Sequence, residues 1–562
     1  MDPMHAPPPQ AVEAVEQGLE SVAAQAGAAT SPRTLWLRSP DCLLQVLCCV
    51  AFTGHPAWNF ASLNRAFRGD EVLWGCIKDR QGCRGMTYLM ACSARGDLAR
   101  VRWLLARGAN ANAAQTGAKT SLMWACERGH LEVVRELLGQ GAAVNAAQTD
   151  GMTSLMCACE SQHTEVVRAL LELGANVNAM RPGYVCETAL MLACMCGHLE
   201  IVCALLDRGA DAAVLTAEDN SCLLWACSSR VWDIVRELLK SGHDVSVNAG
   251  GMDGKTALIW ACQDGHLDVV RELLERGAYV ELQTEEGMTA LVCACGNDNW
   301  EIVLELLKCD GVNVNTTWIR VIDEYEDCEN VNDGLTPLMM ACKAGELEVV
   351  CELLKLSSEE EAAQGDDDGM TPLMWASAYG RLEVMRELFE QGAIVNEQTS
   401  TGWTSLLQAC STGKVEVVRA LLSFGADVSA VCSKDGTTSL MWACKGGHLD
   451  VVHELLGRGI DVNTAQPRNG KTSLMIACEE GHLEVVRLLL EHGAAVDAAQ
   501  TGKGRTYSGR TSLMLACLHG HLEVARLLLA HNASTTAMSF KGHTALSLTS
   551  AANVELRQLL QQ

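Results

Sequence analysis

A seven-residue phrase returns along most of this chain. Thr120-Ser121-Leu122-Met123-Trp124-Ala125-Cys126 is followed by Thr153-Ser154-Leu155-Met156 and, much later, by Thr438-Ser439-Leu440-Met441-Trp442-Ala443-Cys444. Its opening Thr or Ser falls at 87, 120, 153, 188, 221, 256, 289, 336, 371, 404, 438, 472, 511 and 544, so a self-similar array spans residues 81–562. Most steps are 33 to 35 residues. A period of that length means one small supersecondary unit copied many times, each copy needing its neighbours to bury an apolar face.

The residues inside one copy read as two helices and a turn. Thr120 is placed to cap a first helix whose apolar side carries Leu122, Trp124 and Ala125. Gly129-His130 interrupts it. Leu131, Val133, Val134, Leu137 and Leu138 then form the broad stripe of a second helix, and Gly141 is placed to end it in a left-handed conformation. The fold class this predicts is all-α, a helix-turn-helix solenoid with short β-turn or hairpin loops.

Composition narrows the function. The 562 residues are 48% hydrophobic and 20% charged, a folded rather than a disordered balance. A formal charge of −26 argues against nucleic acid and anionic membranes as partners. The 27 cysteines, with no apolar signal segment at the start, place the protein in the cytoplasm, the nucleus or both. The run from Leu43 to Phe52 is the longest apolar one and falls well short of the roughly 20 residues that span a bilayer. On that route the sequons at Asn315 and Asn532 are chance matches.

Residue types that often carry chemistry here follow the repeat. Eleven cysteines (126, 159, 194, 227, 262, 295, 342, 410, 444, 478 and 517) share one small core position. There is no C-x-x-C, and the one dense cluster, Cys194 to His198, uses ordinary repeat positions. Histidines 130, 163, 198, 266, 448, 482 and 521 all fall between the two helices. Gly254-Lys255-Thr256 and Gly470-Lys471-Thr472 end like phosphate loops, but the required first glycine is Ala249 in one and Ala465 in the other. No paired carboxylates, nucleophile elbow or kinase signature remains. The expectation is a protein with no catalytic residues, no metal and no cofactor.

The array resembles the ankyrin repeat family, whose 33-residue period opens T-P-L-H-x-A. Thr336-Pro337-Leu338 and Thr371-Pro372-Leu373 carry that opening best, and Gly265-His266-Leu267, Val269-Val270, Leu273-Leu274 and Gly277-Ala278 carry the rest. The likeness covers thirteen units and a truncated last one, about 85% of the chain. The signature His is replaced, usually by Met, as at Met123, Met156, Met339, Met441 and Met475. The expected consequence is a polar contact exchanged for packing.

Three places break the period. Thr289 to Thr336 is a step of 47 residues holding Trp318, Asp323, Glu324, Tyr325, Glu326, Asp327 and Glu329, an acidic insertion near 316–333. A second acidic stretch, 357–368, contains Glu359, Glu360, Glu361 and Asp366, Asp367, Asp368, and a smaller interruption runs from Gly502 to Gly509. Such insertions fall on loops, which either face a partner or are merely solvated.

The resemblance implies a concave protein-binding surface of turn tips and first helices, on the order of 130 Å long at about 10 Å per unit. Its specificity would come from positions that vary between units. Before the Thr these include Lys119, Met152, Glu187, Lys255, Met288, Met370, Trp403, Lys471 and Arg510. After the Ala-Cys step they include Glu127, Arg128, Gln263, Asp264, Tyr379, Glu479 and Glu480. Trp318 and Tyr325 join them from the insertion. By register, Trp124, Trp225, Trp260, Trp375 and Trp442 are read as first-helix core, and Trp232 and Trp300 as second-helix core. A scaffold or adaptor for a protein partner follows, expected to be a monomer and centred on repeats 7 to 10.

Residues 1–33 are Ala, Gln, Glu and Pro rich, a disordered or weakly helical tail. Residues 34–80 form a small helical module: Pro40-Asp41 opens a helix with Leu43, Leu44 and Leu47, followed by Leu63 to Arg68 and Leu73-Trp74. This segment is similar to the F-box family, although Ala51 to Phe60 departs from its pattern. The resemblance implies that Leu43, Leu44, Leu47 and Trp74 dock the linker subunit of a cullin-type (SCF-like) ubiquitin ligase, the chain being its substrate receptor. The other reading makes the segment a helical cap on the first repeat.

Overall fold

The threonine that opens each phrase stands one residue before a helix and accepts the backbone N–H three residues on. In a computed structural model every one of the fourteen Thr or Ser positions is a helix N-cap. Thr120 Oγ1, for example, accepts from the Met123 N–H at 3.3 Å. Thr511 is the exception, its Oγ1 buried without a partner. Pro337 and Pro372 occupy the first helical position, where the missing N–H is harmless. The structure describes residues 86–562 except 116, 182–186, 241–243, 318–333, 433–434, 502–508, 552 and 562. Residues 1–85, with Leu43, Leu44, Leu47 and Trp74, therefore lie outside the described residues, as do Trp318, Tyr325 and nearly all of the 316–333 insertion.

The expected all-α helix-turn-helix architecture is present. In one repeat Ser121–Glu127 is followed by Leu131–Gly139. Tips between repeats carry isolated antiparallel bridges such as Ala114 with Thr120 and Ala465 with Thr472. The described residues divide into two compact units, one ending at Met252 and one beginning at Asp253. In each, Leu122-type, Met123-type and Cys126-type side chains pack against the paired valines of the second helix. Leu122, Met123, Cys126, Val133, Val134 and Leu137 are all at most 1% exposed. Leu131 and Leu138, expected in the same stripe, are only half-buried at its edges.

The methionine in the signature histidine's place is fully buried, as packing requires, but it has not given up the polar contact everywhere. The Thr120 N–H donates to Met123 Sδ at 3.4 Å, and the Thr87 N–H does the same to Met90. Sulfur thus closes a weak capping box. The acidic stretch 357–368 also differs from a plain loop. Glu359–Ala363 is a short helix, and Asp366 builds a regular tip: its carboxylate accepts from the Met370 N–H at 2.8 Å and the Asp368 N–H at 3.1 Å.

Two polar devices join successive repeats. An Asn near each tip spans to the next repeat: Asn145 donates to the Gly174 carbonyl at 3.3 Å and accepts from the Asn176 N–H at 2.7 Å. Asn396 and Asn463 repeat this further on. The residue before many of the second helices reaches back to the end of the preceding first helix. His130, His163, His448, His482 and His521 place Nε2 at 2.9 to 3.1 Å from a backbone carbonyl there. A carbonyl only accepts, so Nε2 carries the proton. Asn299 and Arg381 fill the same role with other donors. His198 departs from this, its Nε2 buried without a partner.

This brace explains why glycine precedes it. Gly447 has φ +69°, and a Cβ there would stand 2.6 Å from the His482 ring. Gly459 has φ +77° but open space around it. Gly459→Ala is therefore expected to cost about 1 kcal/mol from backbone strain alone. Gly447→Ala adds the displaced brace, for a total of at least about 2 kcal/mol. Urea unfolding of the two variants checks the order; equal losses would mean the histidine brace carries no stability.

Candidate protein-binding face

The tryptophans of the first helices are not core. Leu122, Ala125 and Cys126 are spaced i, i+3 and i+4 and face inward; Trp124, at i+2 from Leu122, points the other way. Trp124, Trp225, Trp260, Trp375 and Trp442 are all half-buried, and so are Trp232 and Trp300 at the starts of second helices. The first-helix indoles lie on the face formed by first helices and tips, and lysines stack on those of Trp124, Trp260, Trp375 and Trp442. Lys119 Nζ sits 3.8 Å from the Trp124 ring centre and Lys255 Nζ 4.9 Å from that of Trp260. The Trp124 indole N–H donates to Gln115 at 3.3 Å, which aims the ring along the face.

In the unit beginning at Asp253 these contacts join into one run across four successive repeats. Lys343 Nζ lies 5.3 Å from the Trp375 ring and 5.5 Å from the Tyr379 ring, and the two rings stack at 6.0 Å. The Trp375 indole N–H donates to Asp366 Oδ2 at 3.0 Å. Burial, opposed by these hydrogen bonds, raises the Asp366 carboxyl above its usual range. One repeat on, Gln408 donates to Met370 Sδ at 3.2 Å. Trp403 then packs on Trp442 with ring centres 4.7 Å apart, and Lys445 Nζ stands 5.1 Å from the Trp442 ring. Tyr379 is 44% exposed, and Trp403 and Met370 are half-buried, so all three offer surface.

The other sequence-selected positions sort by what they touch. Met152 is 8% exposed, held in the core by the Leu155-Met156 phrase behind it, and cannot contribute a contact surface as expected. Lys119 pairs with Glu127, and Lys471 with Glu479, so those charges are internally neutralised. Arg128 is exposed, and Lys255, Gln263, Asp264, Met288 and Arg510 are half-buried. Glu187 is engaged by Arg181, which also reaches Asp150 at 2.6 Å. Lys343 and Lys445 escaped sequence reasoning; the signal available was their position three residues after an aromatic or methionine at the phrase's fifth place.

All eleven cysteines of the shared position are buried thiols. Burial pushes the Cys517 thiol of this set up to about 11, and it pushes Cys92 and Cys157, which stand at other phrase positions, to about 12. Among the described residues no group of three His, Cys, Asp or Glu side chains is placed to hold a metal, and no helix is long and apolar enough to cross a membrane.

A match to a known family agrees with this architecture. The family described as Ankyrin repeats (3 copies) matches residues 89–181, 181–249, 223–317, 320–399, 392–466 and 464–539. None of the curated proteins matches. Among solved structures the chain is similar to the human ASB11 ankyrin repeat domain, at 26% identity over 40% of this chain and 97% of that one, with a TM-score of 0.36.

Alkylation separates two thiol populations. Cys196, Cys203, Cys309 and Cys351 are half-buried, whereas Cys126, Cys262 and Cys444 are shut in the core. Brief iodoacetamide treatment of the native protein at pH 8, read by mass spectrometry, should label the first set and leave the second until urea is added. Rapid native labelling of Cys444 would contradict the packing described here.

Proposed function

This chain belongs to the ankyrin repeat family, and we propose that it is a non-enzymatic scaffold or adaptor. On this reading it acts as a monomer in the cytoplasm or nucleus and holds a protein partner on the face of first helices and tips. The centre of that face lies in the repeats opening at Thr289, Thr336, Thr371 and Thr404, within an array of thirteen repeats and a truncated last one. The observation that carries the proposal is two ring pairs in this unit, Trp375 with Tyr379 and Trp403 with Trp442. Tyr and Trp with exposed ring faces, already held by neighbours, are the side chains that most often dominate binding energy. Gln263, Asp264, Met288 and Arg510 are proposed to supply its periphery, Trp318 and Tyr325 to extend it from the insertion, and Arg128 to offer surface within the unit that ends at Met252.

A second reading rests on the sequence of residues 34–80 alone. Pro40-Asp41, Leu43, Leu44, Leu47 and Trp74 support a docking module for a cullin-ligase linker subunit, with the repeats presenting a substrate. The competing role for the same segment is a cap on the first repeat.

Tyr379→Ala combined with Trp403→Ala should weaken capture of the principal partner by more than about 1 kcal/mol, as measured by calorimetry with the purified partner. Unchanged affinity would move the binding site elsewhere on the array. For the second reading, full-length chain should pull down a purified linker subunit, and alanine at Leu43, Leu44, Leu47 and Trp74 should abolish this while circular dichroism stays constant. A full-length chain that binds no linker leaves only the cap.

A further inference from the structure

The chain carries a formal charge of −26, and the lysines of the first-helix face differ in whether a carboxylate neutralises them. Lys119 and Lys471 have one each, in Glu127 and Glu479. Lys343 and Lys445 do not: among the described residues no carboxylate comes within salt-bridge distance of either, and each ammonium is instead held over an indole. Asp366, on the tip between them, already accepts from Trp375, Met370 and Asp368, while its neighbours Asp367 and Asp368 are exposed. At the far end Lys445 Nζ stands 5.1 Å from the Trp442 ring, which packs on Trp403. The face thus has a cation at each end and aromatic surface between them.

We infer that this face takes an extended acidic segment of a partner protein, with carboxylates at Lys343 and Lys445 and an aromatic or apolar side chain against Tyr379 and Trp403. The inference rests on the scaffold reading above and adds the chemistry of its partner. Lys343 and Lys445 lie three repeats apart, roughly 30 Å at about 10 Å per packed unit. An extended chain advances about 3.3 Å per residue, so the two acidic positions are about nine residues apart. A cation already stacked on an aromatic ring loses little freedom on pairing with an incoming carboxylate. Single-stranded nucleic acid would also meet cations and rings, but two lysines against the charge of the whole chain disfavour a continuous phosphate backbone.

Fluorescence anisotropy on the full-length protein tests this with three labelled probes. The first is a 13-residue peptide with Glu-Glu at each end and Trp-Phe at its centre; the second has Lys-Lys at each end; the third is a 12-nucleotide oligothymidine. The acidic peptide should bind at least tenfold tighter than both others and weaken as salt is raised. Lys343→Glu with Lys445→Glu should remove at least tenfold of that affinity. Lys355→Glu, which makes half the charge change on a second helix, should leave it unaltered. Equal binding of the acidic and basic peptides, preference for the oligonucleotide, or indifference to the double substitution each overturns the inference. Should capture of the principal partner still depend on Tyr379 and Trp403 in that case, the scaffold reading stands and only the acidic chemistry falls.

Discussion

Helices of seven to ten residues do not persist in water by themselves, and nearly every feature of this protein answers that constraint. The Thr or Ser cap satisfies a backbone donor at the start of every first helix but the one after Thr511. The second helix, which lacks a side-chain cap of its own, begins at a residue whose side chain instead binds the previous repeat, as His448 binds the Ser411 carbonyl at 3.0 Å. Asn396 spans from its own tip to Gly425 and Asp427. Order in one repeat is therefore lent by the next, so each substitution acts on a pair of neighbours rather than on a distant core.

That locality explains why so much was legible from one sequence. A Thr before an apolar run, a Gly after it and a repeated Val-Val pair state their roles without reference to distant residues, and the capping positions follow directly. The cysteines were readable for the same reason: a small apolar residue at i+4 from Leu122 faces the second helix whatever the fold around it. The tryptophans were not readable, because hydropathy ranks Trp124 and Leu122 together while helix geometry sends them to opposite sides. Asp366 was concealed among five other acids, and only its position nine residues before Trp375 distinguishes it from a solvated charge. Met152 misled in the other direction, since variation between repeats selects buried substitutions as readily as exposed ones.

The division of labour within one repeat follows from these directions. Leu122, Ala125 and Cys126 cannot change without altering the volume between the helices, and they hardly change along the chain. The position of Trp124 is occupied elsewhere by Cys157, Leu192, Gln408 and Ile476, and the position before the Thr by lysine, methionine, tryptophan or threonine. Freedom of that kind belongs to side chains that the packing does not specify. It lets neighbouring repeats differ in what they present while their backbones remain alike.

Where such free positions touch one another they cease to be independent. Trp375 is held by Asp366 and stacked with Tyr379, Gln408 reaches Met370, and Trp403 leans on Trp442. Each of these contacts restricts a rotamer before any partner arrives, and ordering a free aromatic or lysine on binding costs about 0.5 to 1.5 kcal/mol per side chain. A surface that has met this cost during folding binds with fewer contacts than a flexible one of equal area. The lysines gain in the same way. An ammonium resting on an indole has already shed part of its water, so a carboxylate that reaches it forms a stronger pair than it would with a fully solvated lysine on the outer helices. In the proposed binding mode the charges that matter are those few held against rings, and the much larger negative total of the chain acts at longer range, where salt screens it.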